Sequence, residues 1–396
     1  MANRIPKYMH NCTGCMVCAD ICPKHCITSK VHKDGHIYPE IDAASCVNCG
    51  LCYKVCPVIT PVKDKSGVCY EKGYCSWANN VDIRENSASG GVFAEIASEI
   101  LKRGGFVVGA TMKNSVVEHL IIDKHENLHL LQGTKYQQGD LKLIYRKCID
   151  LLTKGNIVLF SGVPCQVAAI TRYAEIKHCA ANLYTIDLIC GGFPSILPLQ
   201  IFLNNENDVV EVISYRSKKN GWKSRGFKYD LVTIDKGGNE KSWGDENIVI
   251  GSFCTSLTSR RVCSACPFAK NKRGSDLTIG DYWGECKYPE QHKNGVSAVV
   301  VHNQKGDKLL CAADVTIKET SIADIVKSNY RLQDGRNYFI RLHPAWIFRA
   351  FILNHFSYKK LKFIYNATSE RSILSILYRS ILYICNKMNS LVRKYF

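Results

Sequence analysis

The chain has 396 residues, 46% hydrophobic and 22% charged, a make-up that excludes global disorder and implies more than one folded domain. Its 21 cysteines are the outlier. The opening MANRIPKYMHNCTGC has neither an apolar signal core nor a small-residue cleavage site, so the thiols read as reduced, cytoplasmic and free for metal, not as a secreted disulfide framework.

The first sixty residues carry the strongest pattern. Cys12, Cys15, Cys18 and Cys22 precede Pro23, and the same spacing recurs as Cys46, Cys49, Cys52 and Cys56 before Pro57. Both copies follow the C-x2-C-x2-C-x3-C-P run of two-cluster bacterial ferredoxins, in which the fourth cysteine serves the other cluster. Cys12, Cys15, Cys18 and Cys56 are therefore expected to hold one 4Fe-4S cluster, and Cys46, Cys49, Cys52 and Cys22 a second. Paired zinc knuckles are the alternative, but they use two CxxC pairs across a longer loop, often with histidine. Cys26 lies outside the pattern and reads as a packed thiol.

Thr60 to Gly67 reads as a linker, and a new domain starts near Gly73. Val92, Ile96, Ile100 and Leu101 predict a helix from Gly90 that ends at Gly104-Gly105, followed by the strand FVVGATM. A helix over Leu141 to Leu152, the strand NIVLFSG, a turn and helix at GVPCQVAAITRYA, and the strand TIDLIC continue the alternation. Such alternation predicts a largely parallel sheet with ligands at the carboxyl ends of its strands, near Cys165 and Cys190. Val209 to Ile250 turns to strand-like runs with Gly-rich turns.

The net charge of +17 is concentrated at the far end, where residues 331–396 hold twelve Lys and Arg against two acids. That tail predicts helix, with Ile373, Leu377, Ile381, Ile384, Met388 and Leu391 on one face. Arg379, Asn386 and Lys387 interrupt its apolar run, which excludes a spanning helix. The tail is expected to pack on the body or at a homo-oligomer interface, or to touch an anionic membrane surface peripherally. Nucleic acid is not an expected partner, because the basic residues form no reading motif. The fold expectation is an α+β ferredoxin-like domain over residues 1–60, an α/β domain with a mixed, largely parallel sheet in two regions, 73–150 and 151–330, and a helical tail over 331–396.

From about residue 73 to 305, SASGGVFAEIA, GTKYQQGD, VLFSGVPCQVAAI, TIDLICGGFPS, SYRSKKNGWK and RRVCSACPFAKNKRGSDLTIGDYWG together resemble the coenzyme F420 hydrogenase/dehydrogenase beta-subunit family in order and rough spacing. The resemblance implies an iron-sulfur flavoprotein, generally with FAD, that moves electrons between clusters and a deazaflavin, a ferredoxin or an organic substrate. Many bacterial members are linked to surface-polysaccharide genes, which makes a small molecule or a glycan precursor the implied substrate.

Residue by residue, the resemblance places Ser87, Ser89, Gly90 and Gly91 at a helix start suited to a flavin pyrophosphate, where backbone N–H groups and the helix dipole favour anions. Lys135, in the Thr134-Lys135-Tyr136 element, is implied beside the flavin. It also implies a third 4Fe-4S cluster on Cys165, Cys190, Cys263 and Cys266, with Cys254 and Cys286 as competing ligands. Arg216, Lys218, Gly221 and Trp222 match an element read either as an acidic-ligand clamp or as a strand cap, and Trp283 of the GDYWG element as core or flavin-facing. Two departures bear on the substrate: Cys190-Gly191-Gly192 stands where the family has Cys-His-Gly, and Val163 stands where it commonly has threonine. No P-loop or clean GxGxxG appears. The expected function is an oxidoreductase that takes electrons from a donor such as ferredoxin or reduced deazaflavin; a non-catalytic electron-transfer subunit is the alternative.

Overall fold

The computed structural model describes residues 11–61, 71–141, 143–219, 221–222, 230–244, 247–284, 288–333 and 348–368. An N-terminal lobe holds helix α1 (Val17–Ile21), strands β1 (Ile27–Val31) and β2 (Ile37–Ile41), and helix α2 (Leu51–Val55). The strands form an antiparallel pair with Ile27 opposite Ile41 and Val31 opposite Ile37. The sequence repeat is also a conformational one. Met16 (φ 62, ψ 8) and Gly50 (φ 74, ψ 3) launch α1 and α2 from the left-handed region, and Cys22 (ψ 117) and Cys56 (ψ 116) end them in extended conformation.

The body follows as β3 (Lys72–Ala78), α3 (Val81–Glu85), α4 (Val92–Lys102), β4 (Phe106–Lys113), β5 (Val116–Ile122), α5 (Ile144–Thr153), β6 (Val158–Gly162), α6 (Pro164–Ile176), β7 (Leu183–Leu188) and α7 (Leu197–Asn205). Next come β8 (Val209–Ser214), β9 (Val232–Asp235), β10 (Glu240–Ser242), α8 (Ile248–Cys254), β11 (Leu277–Asp281), α9 (Pro289–His292), β12 (Ser297–Val301), α10 (Gln304–Ala312), β13 (Val315–Thr320) and α11 (Ile322–Ser328). Two helices, α12 (Arg349–His355) and α13 (Tyr358–Thr368), follow. The face expected for the tail from Ile373 onward lies outside the described residues.

Eight strands form one sheet in the order β13-β3-β12-β11-β7-β6-β4-β5. Its middle is parallel, through the pairs β11–β7, β7–β6 and β6–β4. The flanks are antiparallel, because β5 folds back on β4 and because β3 inserts between β12 and β13. The sheet is mixed, as expected, but its parallel part is confined to the centre, with three of its seven strand pairings parallel. β8, β9 and β10 form a separate antiparallel sheet.

One face of the large sheet is covered by α5 and α6, whose Tyr145, Ile149, Val167 and Ile170 share a core with Val158 and Phe160. Cys15, Val17, Ile21 and Val55 of the N-terminal lobe enter that same core, so the lobe is built into the body. The opposite face is covered by α4 and α10. A third core joins α7 and α8 to β8, with Ile352 and Leu361 from α12 and α13 sealing it. Among the described residues no helix is long and apolar enough to cross a membrane.

Gly90 shows how tightly α4 enters this framework. A Cβ there would lie 2.6 Å from the Ser76 carbonyl oxygen and 2.8 Å from the Ser297 amide nitrogen, both backbone atoms of sheet strands. Gly90→Ala should therefore cost about 1–3 kcal/mol through overpacking, measured as a lowered denaturation midpoint. An unchanged midpoint would contradict this packing.

Candidate iron-sulfur centre

The N-terminal cysteines separate into two groups. Cys22, Cys46, Cys49 and Cys52 line one cavity of about 250 Å³, and Cys26 lines it too. Cys12, Cys15, Cys18 and Cys56 gather on the side facing the body. Burial pushes Cys15 up to about 12, with Cys56 and then Cys12 adding repulsion, and Cys18 is raised by burial and then by Cys15, Cys12 and Cys56. Cys52 is raised by burial and then by Cys49, Cys46 and Cys22. Each short helix thus carries its fourth cysteine across to the other triplet, because α1 begins beside Cys15 and ends at Cys22.

Four thiolates so close together repel one another unless a cation stands between them, so each donor set suits a metal centre. Among the described residues no three His, Cys, Asp or Glu side chains close on a point as ligands of a single ion do. The cavity among Cys22, Cys46, Cys49 and Cys52 is large enough for a cluster. Cys26 is more intimately placed than its position in the sequence suggests: its Sγ lies 3.4 Å from Cys22 Sγ, in the wall of that cavity.

Cys165, Cys190, Cys263 and Cys266 line a third cavity, together with Thr13, Phe193, Arg273 and Arg331. Cys165 sits in the first turn of α6 directly after β6, Cys190 just past β7, and Cys263 in a 3-10 turn, Arg261–Ala265, that ends at Cys266. Backbone amides already face the sulfurs: Gly192 N–H donates to Cys190 Sγ at 3.3 Å and Phe193 N–H to Cys263 Sγ at 3.5 Å. The cavity is narrow, about 30 Å³, against about 250 Å³ for the one among Cys22, Cys46, Cys49 and Cys52. Cys254 is exposed at the end of α8 and does not line this cavity, and Cys286 lies outside the described residues.

Two arginines wall the third site. Arg331 donates through Nη1 to the Cys263 carbonyl at 3.1 Å and through Nη2 to the Gly191 carbonyl. Gly192, where the family also has glycine, has φ 111, and a Cβ there would stand 2.9 Å from Arg331 Nη2, so this glycine makes room for the guanidinium; at the departing position, Gly191, a Cβ would stand 2.9 Å from the Phe253 ring. Arg273 pairs with Asp187 at 2.7 Å. Both arginines favour the Cys190 thiolate, partly offsetting its burial. By sequence Arg331 is only the first residue of the basic tail; its position is set by a contact with Gly191, 140 positions earlier.

The third site adjoins the inner N-terminal group. Thr13, between Cys12 and Cys15, is part of its wall, and Cys15 is the first charge felt by the buried Cys165 after desolvation. The three quartets therefore follow one another, from the exposed side of the lobe into the body.

The lobe is held in this position by polar contacts. The Asp20 carboxylate accepts from the backbone N–H groups of Leu143 at 2.9 Å and Arg146 at 3.1 Å, at the N-terminus of α5. Arg146 donates in turn to the carbonyls of Asp20 and Cys22. On the other side Arg260 reaches the Cys12 carbonyl at 2.7 Å and the Ile37 carbonyl at 2.8 Å.

The residues expected at a flavin lie at the C-terminal end of β3, where the Ala78 N–H donates to the Gly90 carbonyl. Ser87 Oγ donates to the Ile83 carbonyl, Ser89 Oγ to the Val296 carbonyl, and the Gly90 N–H to Ser297 Oγ at 3.0 Å. Gly91, with φ 87, begins α4. The Gly90 amide is thus spent inside the protein and not offered to an anion. Lys135 donates to the Gln132 carbonyl at 2.6 Å, and Gln132 Nε2 reaches Ser87 Oγ at 3.3 Å, so Lys135 and Ser87 share one patch. Lys218 stitches the Arg84, Ser89 and Asn294 carbonyls together, and Arg216 pairs with Asp281 at 2.6 Å beneath the stacked rings of Trp222 and Trp283. These contacts give the Arg216 to Trp222 element a cross-linking role.

Burial lowers the Lys135 ammonium to about 8. The unfolded chain keeps that proton up to about 10.4, so stability through this group is full above about 10.4 and is lost as pH falls to about 8. Lys135→Met should remove this dependence and raise stability near pH 7 by no more than about 3 kcal/mol. Denaturation midpoints near pH 7 and near pH 10 check it.

Residues 11–59 match the 4Fe-4S dicluster domain, and residues 155–325 match the C terminus of the beta subunit of coenzyme F420 hydrogenase/dehydrogenase. Among solved structures, the chain is similar to one from the xenon-derivatised F420-reducing NiFe hydrogenase complex of Methanosarcina barkeri, at 15% identity and a TM-score of 0.48, covering 69% of this chain and 93% of that one. No curated protein matches. The chain thus joins a 4Fe-4S dicluster domain to a C-terminal region of the coenzyme F420 hydrogenase/dehydrogenase beta-subunit family, and it is an iron-sulfur electron-transfer protein related to those subunits.

Proposed function

We propose that this chain is an oxidoreductase that accepts electrons at its N-terminal lobe from a low-potential donor, ferredoxin or reduced deazaflavin, and delivers them through FAD to an organic acceptor, a glycan precursor being one such class. The observation that carries the reading is the succession of three cysteine quartets, outer, inner and third, leading from an exposed face into the α/β body. Bound 4Fe-4S clusters supply one-electron transfer, and a flavin couples it to two-electron chemistry.

In this reading Cys22, Cys46, Cys49 and Cys52 hold the outer cluster, Cys12, Cys15, Cys18 and Cys56 the inner one, and Cys165, Cys190, Cys263 and Cys266 a third. Arg331 and Arg273 supply positive charge beside the last quartet. Lys135 is the residue best suited to face a reduced flavin, since it is cationic at neutral pH and half-buried.

One observation favours the second reading, an electron carrier without a flavin. The Gly90 amide that would meet a pyrophosphate already donates to Ser297. Flavin extraction from anaerobically purified chain, with reduction followed in the flavin absorbance band, separates the two. Stoichiometric FAD reduced by a low-potential donor supports the oxidoreductase, whereas iron without flavin supports the carrier.

A further inference from the structure

Two buried donors stand against the inner cysteine quartet without a full set of acceptors. Arg260 is among the largest fully buried side chains in the body. Its hydrogen bonds run to the carbonyls of Cys12 and Ile37 and to Gln138 Oε1, all neutral groups, and its Nη2 has no partner among the described residues. The guanidinium lies 3.9 Å above the Tyr38 ring. Its backbone is fixed as well, since Arg260 N–H donates to the Phe193 carbonyl in the wall of the third site. Gly14 has φ 69, and a Cβ there would come within 2.7 Å of Arg260 Nη1, so the loop between Cys12 and Cys15 is shaped around this cation.

Tyr145 stands on the other side. It is fully buried in the core that also contains Cys15, stacks on Phe160 at 5.7 Å, and its hydroxyl has no hydrogen-bond partner among the described residues. A phenol carries its proton at neutral pH, so the hydroxyl is available as a donor. Buried cations and hydroxyls are unfavourable without partners. An anionic cluster bound to Cys12, Cys15, Cys18 and Cys56 would satisfy both at once.

We infer that Arg260 and Tyr145 are positioning residues for the inner cluster, set to raise its reduction potential by placing a buried cation and a hydroxyl donor against it. The inference rests on the reading that the two N-terminal quartets hold 4Fe-4S clusters. Burial alone lowers the potential of a cluster whose reduction adds negative charge; a nearby cation and hydrogen bonds to sulfur raise it. The outer quartet, with Cys49 exposed and Cys46 and Cys52 partly so, has solvent for this purpose. The inner quartet has Arg260 and Tyr145.

The test is a redox titration of the full chain, purified anaerobically and followed by electron paramagnetic resonance, with Cys49→Ser used to assign the outer signal. Tyr145→Phe and Arg260→Gln should each make reduction of the inner cluster about tenfold less favourable, 59 mV for a one-electron couple, and leave the outer cluster unchanged. Arg260→Lys, which keeps the charge, should recover most of the loss. Tyr145→Phe removes one oxygen from a packed site and serves if Arg260→Gln does not fold. Iron-loaded variants with an unchanged inner potential, or with both clusters shifted equally, would overturn this inference alone. Colourless wild-type protein would overturn it together with the reading beneath it.

Discussion

Replacing Cys263 with serine should lower the iron bound per chain from about twelve to about eight atoms and leave both N-terminal clusters in place. Cys263 lies on a 3-10 turn whose carbonyl is gripped by Arg331, and its sulfur faces the Phe193 amide, so the side chain is held toward Cys165, Cys190 and Cys266. A serine oxygen is a harder and less acidic donor than sulfur and would not match it on iron. Cys165→Ser should behave in the same way, since Cys165 is buried against the same cavity. Cys254→Ser is the internal control: its thiol is exposed and outside that wall, and iron should not change. Equal iron in all three variants would remove the third cluster from the account.

Stripping iron with a chelator should have the largest effect on stability, and the effect should be local. Residues 11–61 contain two five-residue helices and a two-stranded hairpin, none of which is stable alone in water. The lobe's own core is Met16, Cys18, Ala19, Cys22, Cys26 and Ile27, half of it cysteine. Without clusters, burial of so few apolar groups cannot offset the conformational entropy of about fifty ordered residues. Limited proteolysis should then cut within residues 11–61, while the α/β body, with its own cores, stays resistant. Asp20→Ala should move the protein in the same direction by about 1–3 kcal/mol, because two backbone N–H groups at the start of α5 lose their acceptor. A lobe that remained protected after iron removal would show that docking through Asp20, Arg146 and Arg260 suffices.

The parts of this architecture that were legible in the sequence are local. The spacing of Cys12 to Cys22 and Cys46 to Cys56 expresses one helical turn after a tight loop, and the same turn recurs as α1 and α2. The α4 helix, β4, β6 and α6 were visible in apolar periodicity and glycine punctuation, because each is set by contacts with its own sequence neighbours. What remained hidden is long-range. Nothing in KGYCSWA signals that β3 will lie between β12 and β13, since its partners are more than 200 residues away. Arg331, Arg260 and Tyr145 are unremarkable in sequence and acquire their roles only when the lobe, α5 and the turn before Cys263 converge. The resemblance alone gives Gly90 a place at an anion-binding helix start, and the close approach of β3 and β12, which its small size permits, is invisible until the sheet is assembled.

The central claim is that three cysteine quartets in succession hold iron-sulfur cubanes. Iron, acid-labile sulfide and zinc measured together on anaerobically purified chain test it most directly. The account predicts about twelve iron and about twelve sulfide per chain with zinc below stoichiometry. About eight of each would contradict the third centre, and stoichiometric zinc in colourless protein would contradict all three.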